Sequence, residues 1–81
     1  MGLLDILIWG LAEMLLDLFY EKVKEIIKEK MAEKARIQKL ERKGEYSKVK
    51  VDFVKNDRVI KKEKFDNVKD NGELYEGKII Y

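Results

Sequence analysis

The sequence contains no cysteine, no histidine and no proline. Without cysteine the chain cannot form a disulfide, and without cysteine and histidine it cannot build a zinc site of the ordinary type. The same absences remove every Ser–His and Cys–His nucleophile pair, and Ser47 carries the one hydroxyl group besides those of the tyrosines. We therefore predict that the protein is not an enzyme and that it holds no metal and no cofactor.

The chain is also short, at 81 residues, which limits it to one domain. A chain of this size buries about 60–65% of its unfolded surface, so its core is marginal. Small scaffolds usually add disulfides, a metal or oligomerisation to such a core. Because the first two are excluded here, the expected supplement is oligomerisation or contact with a membrane.

The charges are many but nearly balanced, with a net charge of +2, so the overall balance does not indicate a polyanionic partner. The high content of Lys, Glu and Ile is typical of thermophile proteins, although an A/T-rich genome would give the same composition. No basic residue precedes the apolar run in residues 1–20, as a secretory signal would require. We expect a cytoplasmic protein, with the inner face of the membrane as the alternative location.

The chain changes its periodicity at Lys43–Gly44. Before this point apolar residues recur at helical spacing, and after it apolar and charged residues alternate. We predict a single small α+β domain over residues 1–81, in which a long N-terminal amphipathic helix (1–43) precedes a three-stranded antiparallel β-meander (45–81). Gly44 is well placed to end the helix, and Gly10 and Tyr20 are the candidate positions of a bend.

The first twenty residues carry an apolar stripe about 160° wide, which is broader than a surface helix needs. A 40-residue helix would be about 60 Å long and a three-stranded sheet about 15 Å wide, so part of this stripe would remain uncovered. We therefore predict that the stripe mediates self-association, with membrane contact as the alternative. The residues assigned to this contact are Leu4, Leu7, Ile8, Leu11, Leu15, Leu18 and Phe19.

The membrane alternative combines residues 1–20 with the basic segment 22–43 in a peripheral or anchored membrane protein. The apolar run has the length of a transmembrane span, about 20 residues. It also contains three acidic residues, and an Asp near the bilayer centre costs about 2.5–3.5 kcal/mol. Lys and Arg in 22–43 could contact anionic lipid, but the interleaved glutamates favour a solvated helix face.

The first predicted hairpin turns at Asn56-Asp57, because both residue types tolerate positive φ. A two-residue turn at this position would place Phe53 opposite Ile60 and Val49 opposite Lys64. The second pair would leave the apolar face of the sheet incomplete. A further turn at 70–72 (Asp-Asn-Gly) is predicted to join this hairpin to a last strand over 74–81.

Six basic residues of the predicted sheet are candidate contacts for a polyanion: Lys48, Lys50, Arg58, Lys61, Lys62 and Lys64. Basic residues beside aromatic ones on an exposed sheet are typical of proteins that bind single-stranded nucleic acid. Lysines also protect sheet edges from aggregation, and acidic residues interrupt this patch. Nucleic-acid binding is therefore the third hypothesis. The favoured one is a non-enzymatic interaction protein that forms a homo-oligomer through its helix and displays a charged sheet.

Overall fold

The computed structural model of the protein describes residues 14–81. Its elements in chain order are β1 (Met14–Leu15), α1 (Leu16–Lys30), β2 (Lys34–Lys43), β3 (Tyr46–Lys55), β4 (Arg58–Lys69) and β5 (Ile79–Ile80). The five strands form one sheet in the order β1-β4-β3-β2-β5, in which β1 is parallel to β4 and the other neighbours are antiparallel. The predicted α+β class is confirmed, whereas within residues 14–81 the sheet has five strands instead of three.

The helix is 15 residues long and ends at Lys30, although the sequence predicted a helix as far as Lys43. Met31 adopts the left-handed conformation, with φ 57°. Its N–H donates to the carbonyl of Lys28 at 3.3 Å, and the N–H of Ala32 donates to the carbonyl of Ile27 at 2.9 Å. This pair of hydrogen bonds is a Schellman motif, which satisfies the last carbonyls and turns the chain away from the helix axis.

Residues 34–43 form β2 although Lys, Ala, Arg, Gln, Leu and Glu are all strong helix formers. Ala35 and Ile37 are both buried, with 0% and 1% exposure, and their spacing of two places them on one face of a strand. They pair with Phe53 and Val51 of β3, respectively. The strand therefore forms because these distant partners outweigh the local preference for helix.

Gly44, which the sequence assigned to the helix end, lies instead in the turn between β2 and β3. Lys43 pairs with Tyr46 across this turn. Gly44 has φ +63°, and glycine at the first central position of a two-residue hairpin is typical of a type II′ turn. Its role as a residue of positive φ was anticipated, but in a different element.

The predicted turn at Asn56-Asp57 is confirmed. Both residues have positive φ, 52° and 62°, as a type I′ hairpin turn requires. Val54 pairs with Val59 beside the turn, but the next pair joins Phe53 to Lys61 and not to Ile60. Ile60 is therefore the extra residue of a β-bulge.

This bulge adds Phe65 to the apolar face of the sheet. It shifts β4 by one residue, so that Phe65 pairs with Val49 in the position that a regular hairpin would give to Lys64. Val49 and Phe65 are both buried, with 0% and 7% exposure. A one-residue shift moves every side chain of a strand to the other face, so burial of Phe65 provides the reason for the bulge.

The last strand lies at the opposite edge of the sheet from the one predicted. The turn at Asn71-Gly72 is present, with φ 52° and 80°, but the chain then crosses to β2. There β5 pairs with Ala35 and Arg36. Before β5, the N–H of Gly77 donates to the carbonyl of Ile37 at 2.7 Å.

The helix covers one face of the sheet, which we call the inner face. Phe19 and Val23 of α1 have 0% exposure, and the ring of Phe19 meets that of Phe65 edge-on at 5.1 Å between centroids. The remaining members of this core are Ala35, Ile37, Val49, Val51, Phe53, Phe65, Val68, Leu74 and Ile80. Because strand side chains alternate, β2, β3 and β4 present a second set of residues on the other side, the outer face.

An ion pair between the half-exposed Arg42 and the buried Asp70 holds the segment that leads to β5. Asp70 is 3% exposed, and the guanidinium Nη2 of Arg42 donates to its Oδ2 at 2.8 Å. The same nitrogen donates to the carbonyl of Leu74 at 3.0 Å, and the Ser47 hydroxyl donates to Asp70 Oδ1 at 3.4 Å. A buried carboxylate needs such donors, so these contacts hold the segment on the sheet.

Lys78 joins this segment to the helix. Its ammonium lies 5.8 Å from the centroid of the Tyr20 ring and 5.4 Å from that of Tyr75, which is within the range of cation–π attraction. The Tyr20 hydroxyl also donates to Glu73 Oε1 at 3.2 Å. Burial, opposed in part by Lys78, raises the pKa of Tyr20. The hydrogen bond to Tyr20 raises the pKa of Lys78.

Candidate anion-binding face

Three lysines lie side by side across the outer face. Lys39 of β2 pairs with Lys50 of β3, and Lys50 pairs with Lys64 of β4. Residues opposed in this way have Cβ atoms about 4.5–5.5 Å apart, and like charges at this distance destabilise a sheet. All three side chains are exposed, so burial in their own chain does not explain the arrangement. We call these three residues the lysine row.

Further basic residues extend the row along the strands. Lys48 lies two residues before Lys50 on β3 and pairs with Glu41. On the other side, Asp52 is flanked by Lys62 of β4 and by Arg36 of β2. Arg36, Lys39, Lys48, Lys50, Lys62 and Lys64 therefore lie on the outer face of three adjacent strands, together with the acidic residues Asp52 and Glu41.

Two hollows lie within this basic surface. The larger has a volume of about 340 Å³, and its lining residues are Gln38, Lys50, Val51, Asp52, Lys62, Glu63 and Lys64. The smaller, of about 130 Å³, is lined by Lys39, Glu41, Lys48, Lys50 and Lys64. Lys50 and Lys64 line both hollows. An anion placed at the lysine row would therefore reach ammonium groups from more than one strand.

Asp52 and Glu41, two acidic residues of the outer face, differ in their surroundings. Asp52 is 4% exposed, and its Oδ2 lies 3.7 Å from Nη2 of Arg36. Glu41 is exposed, and its Oε1 lies 3.4 Å from the ammonium of Lys43. The hydrogen bond and the charge of Lys43 lower the pKa of Glu41, so this carboxylate is ionised at neutral pH.

Four of the six residues predicted to contact a polyanion meet on the outer face, namely Lys48, Lys50, Lys62 and Lys64. The other two lie elsewhere. Arg58 pairs with Lys55 beside the hairpin turn. Lys61 is on the inner side of β4, where its ammonium lies 3.5 Å from Oε2 of Glu63.

The contribution of β2 to this face was not predicted, because the sequence of that segment indicated a helix. Lys39 completes the lysine row, and Arg36 flanks Asp52. The available signal was the period of two at Ala35 and Ile37, with charged residues between and after them. That signal covers only a few residues and is outweighed by the helix-forming composition.

The residues predicted for self-association or membrane contact divide into three groups. Leu4, Leu7, Ile8 and Leu11, with the candidate bend at Gly10, lie outside the described residues. Leu15 and Leu18 are exposed, by 56% and 39%. Phe19 is fully buried in its own chain against Phe65, so its ring is not part of the surface.

The basic segment 22–43 is divided between two elements. Its first part lies on α1 and its last ten residues form β2, so its charges do not share one helix face. Within residues 14–81, no helix combines the length and the apolar content needed to cross a bilayer.

The chemistry available on the outer face is the binding of anions. A lysine ammonium offers three hydrogen-bond donors and a full positive charge, and lysine is a common ligand of phosphate groups. Several ammonium groups on one surface bind a chain of phosphates more strongly than a single phosphate. Searches against known proteins identify no relative: no protein-family model matches the chain, and neither does a curated protein or a solved structure.

Proposed function

We propose that this protein binds nucleic acid on the outer face of its sheet. The observation that carries the proposal is the lysine row, Lys39, Lys50 and Lys64, in which like charges stand directly opposite one another. Each such pair costs the folded chain about 0.2–1 kcal/mol. Phosphate groups bound between the lysines would turn this repulsion into attraction.

The distribution of charge supports the proposal although the net charge is only +2. Nucleic-acid binding depends on basic residues gathered on one face more than on the total charge. Here Lys39, Lys48, Lys50, Lys62 and Lys64 share the outer face. Strands lie about 4.8 Å apart, so the lysine row is about 10 Å long and can contact successive phosphates of a strand.

Fluorescence anisotropy of a labelled single-stranded oligonucleotide, titrated with the full chain at several salt concentrations, tests the proposal. We expect binding at low salt that weakens as salt rises, with a slope of about −0.7 in log K against log salt for each phosphate contacted. Three contacts correspond to a slope of about −2. Absence of binding at low salt would overturn the proposal.

A matched pair of variants locates the binding surface. Lys50→Gln removes the central charge of the lysine row, and Lys61→Gln removes the same charge from the inner side of the sheet. We expect Lys50→Gln to weaken binding and to reduce the salt slope by about one contact, while Lys61→Gln has little effect. Equal losses would show that net charge alone matters, which contradicts a site on the outer face.

Anionic lipid vesicles distinguish nucleic acid from a membrane surface, because both present phosphate groups. We expect the protein to bind the oligonucleotide in preference to vesicles that contain phosphatidylserine. If the lysine variants affect only vesicle binding, a membrane surface replaces nucleic acid as the partner.

We also propose self-association through the apolar N-terminal segment as a second function. The observation that favours it is the exposure of Leu15 and Leu18, which continue the apolar sequence of residues 1–13 into the described part of the chain. Light scattering in plain buffer should show an oligomer that Leu18→Asp dissociates. Val59→Asp, at a site of similar exposure (42%) beside the hairpin turn, should leave it intact. A monomer at high concentration would contradict this second proposal.

A further inference from the structure

We infer that the outer face binds unpaired strands and selects guanine among their bases through the carboxylate of Asp52. The inference rests on the proposed nucleic-acid binding and names the feature of the strand that is recognised. A surface built only to attract phosphate gains nothing from an acidic residue at its centre, because the carboxylate repels phosphate. Asp52 nevertheless lies between Arg36 and Lys62, in the lining of the larger hollow.

The larger hollow has room for a single base. Its volume of about 340 Å³ lies near the lower end of the range of about 300–1,000 Å³ found for small-ligand sites. Lys50, Lys62 and Lys64 stand around it and can contact the phosphates of the same strand. A base that enters this hollow must be free of its pairing partner, as in single-stranded nucleic acid.

Asp52 has acceptor capacity left for a ligand. A carboxylate only accepts hydrogen bonds and offers about four lone-pair sites. The Asp52–Arg36 distance of 3.7 Å is longer than a hydrogen bond. Asp52 is 4% exposed but lines the hollow, so a ligand in the hollow that donates two hydrogen bonds can pair with its two oxygens.

Guanine is the base that fits this acceptor. Its Watson–Crick edge carries two adjacent donors, N1–H and the 2-amino group, which match the two oxygens of a carboxylate. Adenine and cytosine present an amino group beside an acceptor nitrogen, and thymine and uracil present one N–H between two carbonyl oxygens. Lysine ammonium groups at the rim can also donate to guanine O6 or N7.

The test compares strands on the unmodified protein by competition anisotropy. The strands are oligothymidylates in which a few positions carry guanine, adenine, cytosine or inosine. We expect the guanine strand to bind about tenfold or more tightly than the adenine and cytosine strands, as for one bidentate base contact. Inosine lacks the 2-amino group, so the inosine strand should lose most of this preference.

Two variants assign the preference to Asp52. Asp52→Asn keeps the size of the side chain but replaces one acceptor oxygen by a donor. It should abolish the preference for guanine while the affinity for plain oligothymidylate stays the same or rises. Glu41→Gln, the corresponding change at another acidic residue of the outer face, should keep the preference.

The possible results separate this inference from the proposed function. If the protein binds all strands with equal affinity, the inference is wrong and nucleic-acid binding stands. If Asp52→Asn changes the affinity for every strand by the same factor, Asp52 acts only through its charge, which also overturns the inference. If no strand binds, the proposed nucleic-acid binding is wrong, and the inference about guanine falls with it.

Discussion

Val49, Val51 and Phe53 alternate along β3 with Lys48, Lys50 and Asp52, and the two sets occupy opposite faces of the sheet. On the inner face, Val49 of β3 pairs with the apolar Phe65 of β4, and both are buried. On the outer face, Lys50 stands between two other lysines. The inner face is thus covered by the rest of the chain, whereas the lysine row of the outer face is the surface that we propose an external anion to occupy.

The largest expected effect comes from the inner face. Phe53 is 0% exposed at the centre of β3, and Phe53→Ala should lower the free energy of unfolding by about 3–5 kcal/mol. A domain of this size has a total stability of the same order, about 0.05–0.15 kcal/mol per residue, so the variant should be largely unfolded. Urea unfolding followed by circular dichroism measures the loss.

Val59→Ala is the matched control for this prediction, since Val59 is 42% exposed on the same sheet. We expect a change of at most about 0.5 kcal/mol, as for an ordinary surface position. Equal losses at the two sites would show that the inner face is not the core.

A smaller effect of opposite sign is expected on the outer face. Lys50→Gln removes repulsion on both sides of the lysine row and should raise the free energy of unfolding by about 0.5–1 kcal/mol. The same substitution is expected to weaken nucleic-acid binding, so stability and binding would change in opposite directions. Urea unfolding in low salt is the appropriate measurement, because salt screens the repulsion.

Lys61→Gln provides the comparison on the inner side of β4. It removes the ion pair with Glu63 at 3.5 Å, so it should leave stability unchanged or lower it slightly. If Lys50→Gln lowered the free energy of unfolding as much as Lys61→Gln does, Lys50 would make favourable contacts within the chain. That result would contradict mutual repulsion in the lysine row.

The smallest effect concerns alkaline pH. The pKa values of Tyr20 and Lys78 are raised in the folded protein, the first chiefly by burial and the second chiefly by its hydrogen bond to Tyr20. The folded chain then holds these protons more tightly than the unfolded chain, so the stability they confer is complete below about pH 10 and declines as pH rises further. Urea midpoints measured from about pH 8 to pH 11 should show this decline.

Tyr20→Phe should make that decline shallower, because the variant has no phenol to ionise at this position. Tyr46→Phe, on β3 next to the type II′ turn, is the control and should retain the full decline. An unchanged pH profile in Tyr20→Phe would mean that the cluster around Lys78 does not carry the effect.

The parts of the fold that could be predicted from the sequence are those fixed by local chemistry. Asn56-Asp57 defined a hairpin because two successive residues of positive φ suit few other structures. The helical spacing of apolar residues likewise predicted a helix at α1, although it assigned Phe19 to an external contact and Phe19 is buried in its own chain.

The missed features depend on residues far apart in the chain. Residues 34–43 have a helical composition and become a strand through pairing with β3, which local propensity cannot reveal. In the sequence, the bulge at Ile60 was indicated only by a mismatch in the regular hairpin register, which placed the charged Lys64 opposite the apolar Val49. That mismatch was a correct sign that the regular register was wrong.

The candidate site likewise combines features that local sequence predicts with features that depend on distant residues. The predicted register placed Lys62 and Lys64 opposite Val51 and Val49, and only the bulge at Ile60 brings them to the side of Lys48 and Lys50, the two lysines that alternation with apolar residues could assign to one face. Lys39 could not be assigned to that face, since its place in the row depends on β2 being a strand. The opposition of three like charges, on which the proposed function rests, therefore appears only in the folded sheet.

The bulge at Ile60 also bears on how the gene can change. Because Ile60 is the extra residue between the pairs Val54–Val59 and Phe53–Lys61, loss of its codon would only straighten the strand. Phe65 would still pair with Val49, and the lysines would keep their face. An added codon in the same stretch would insert a further residue into the strand. The side chains that follow it would then move to the opposite face of the sheet. Descendants of this gene should therefore tolerate a shorter β4 more readily than a longer one.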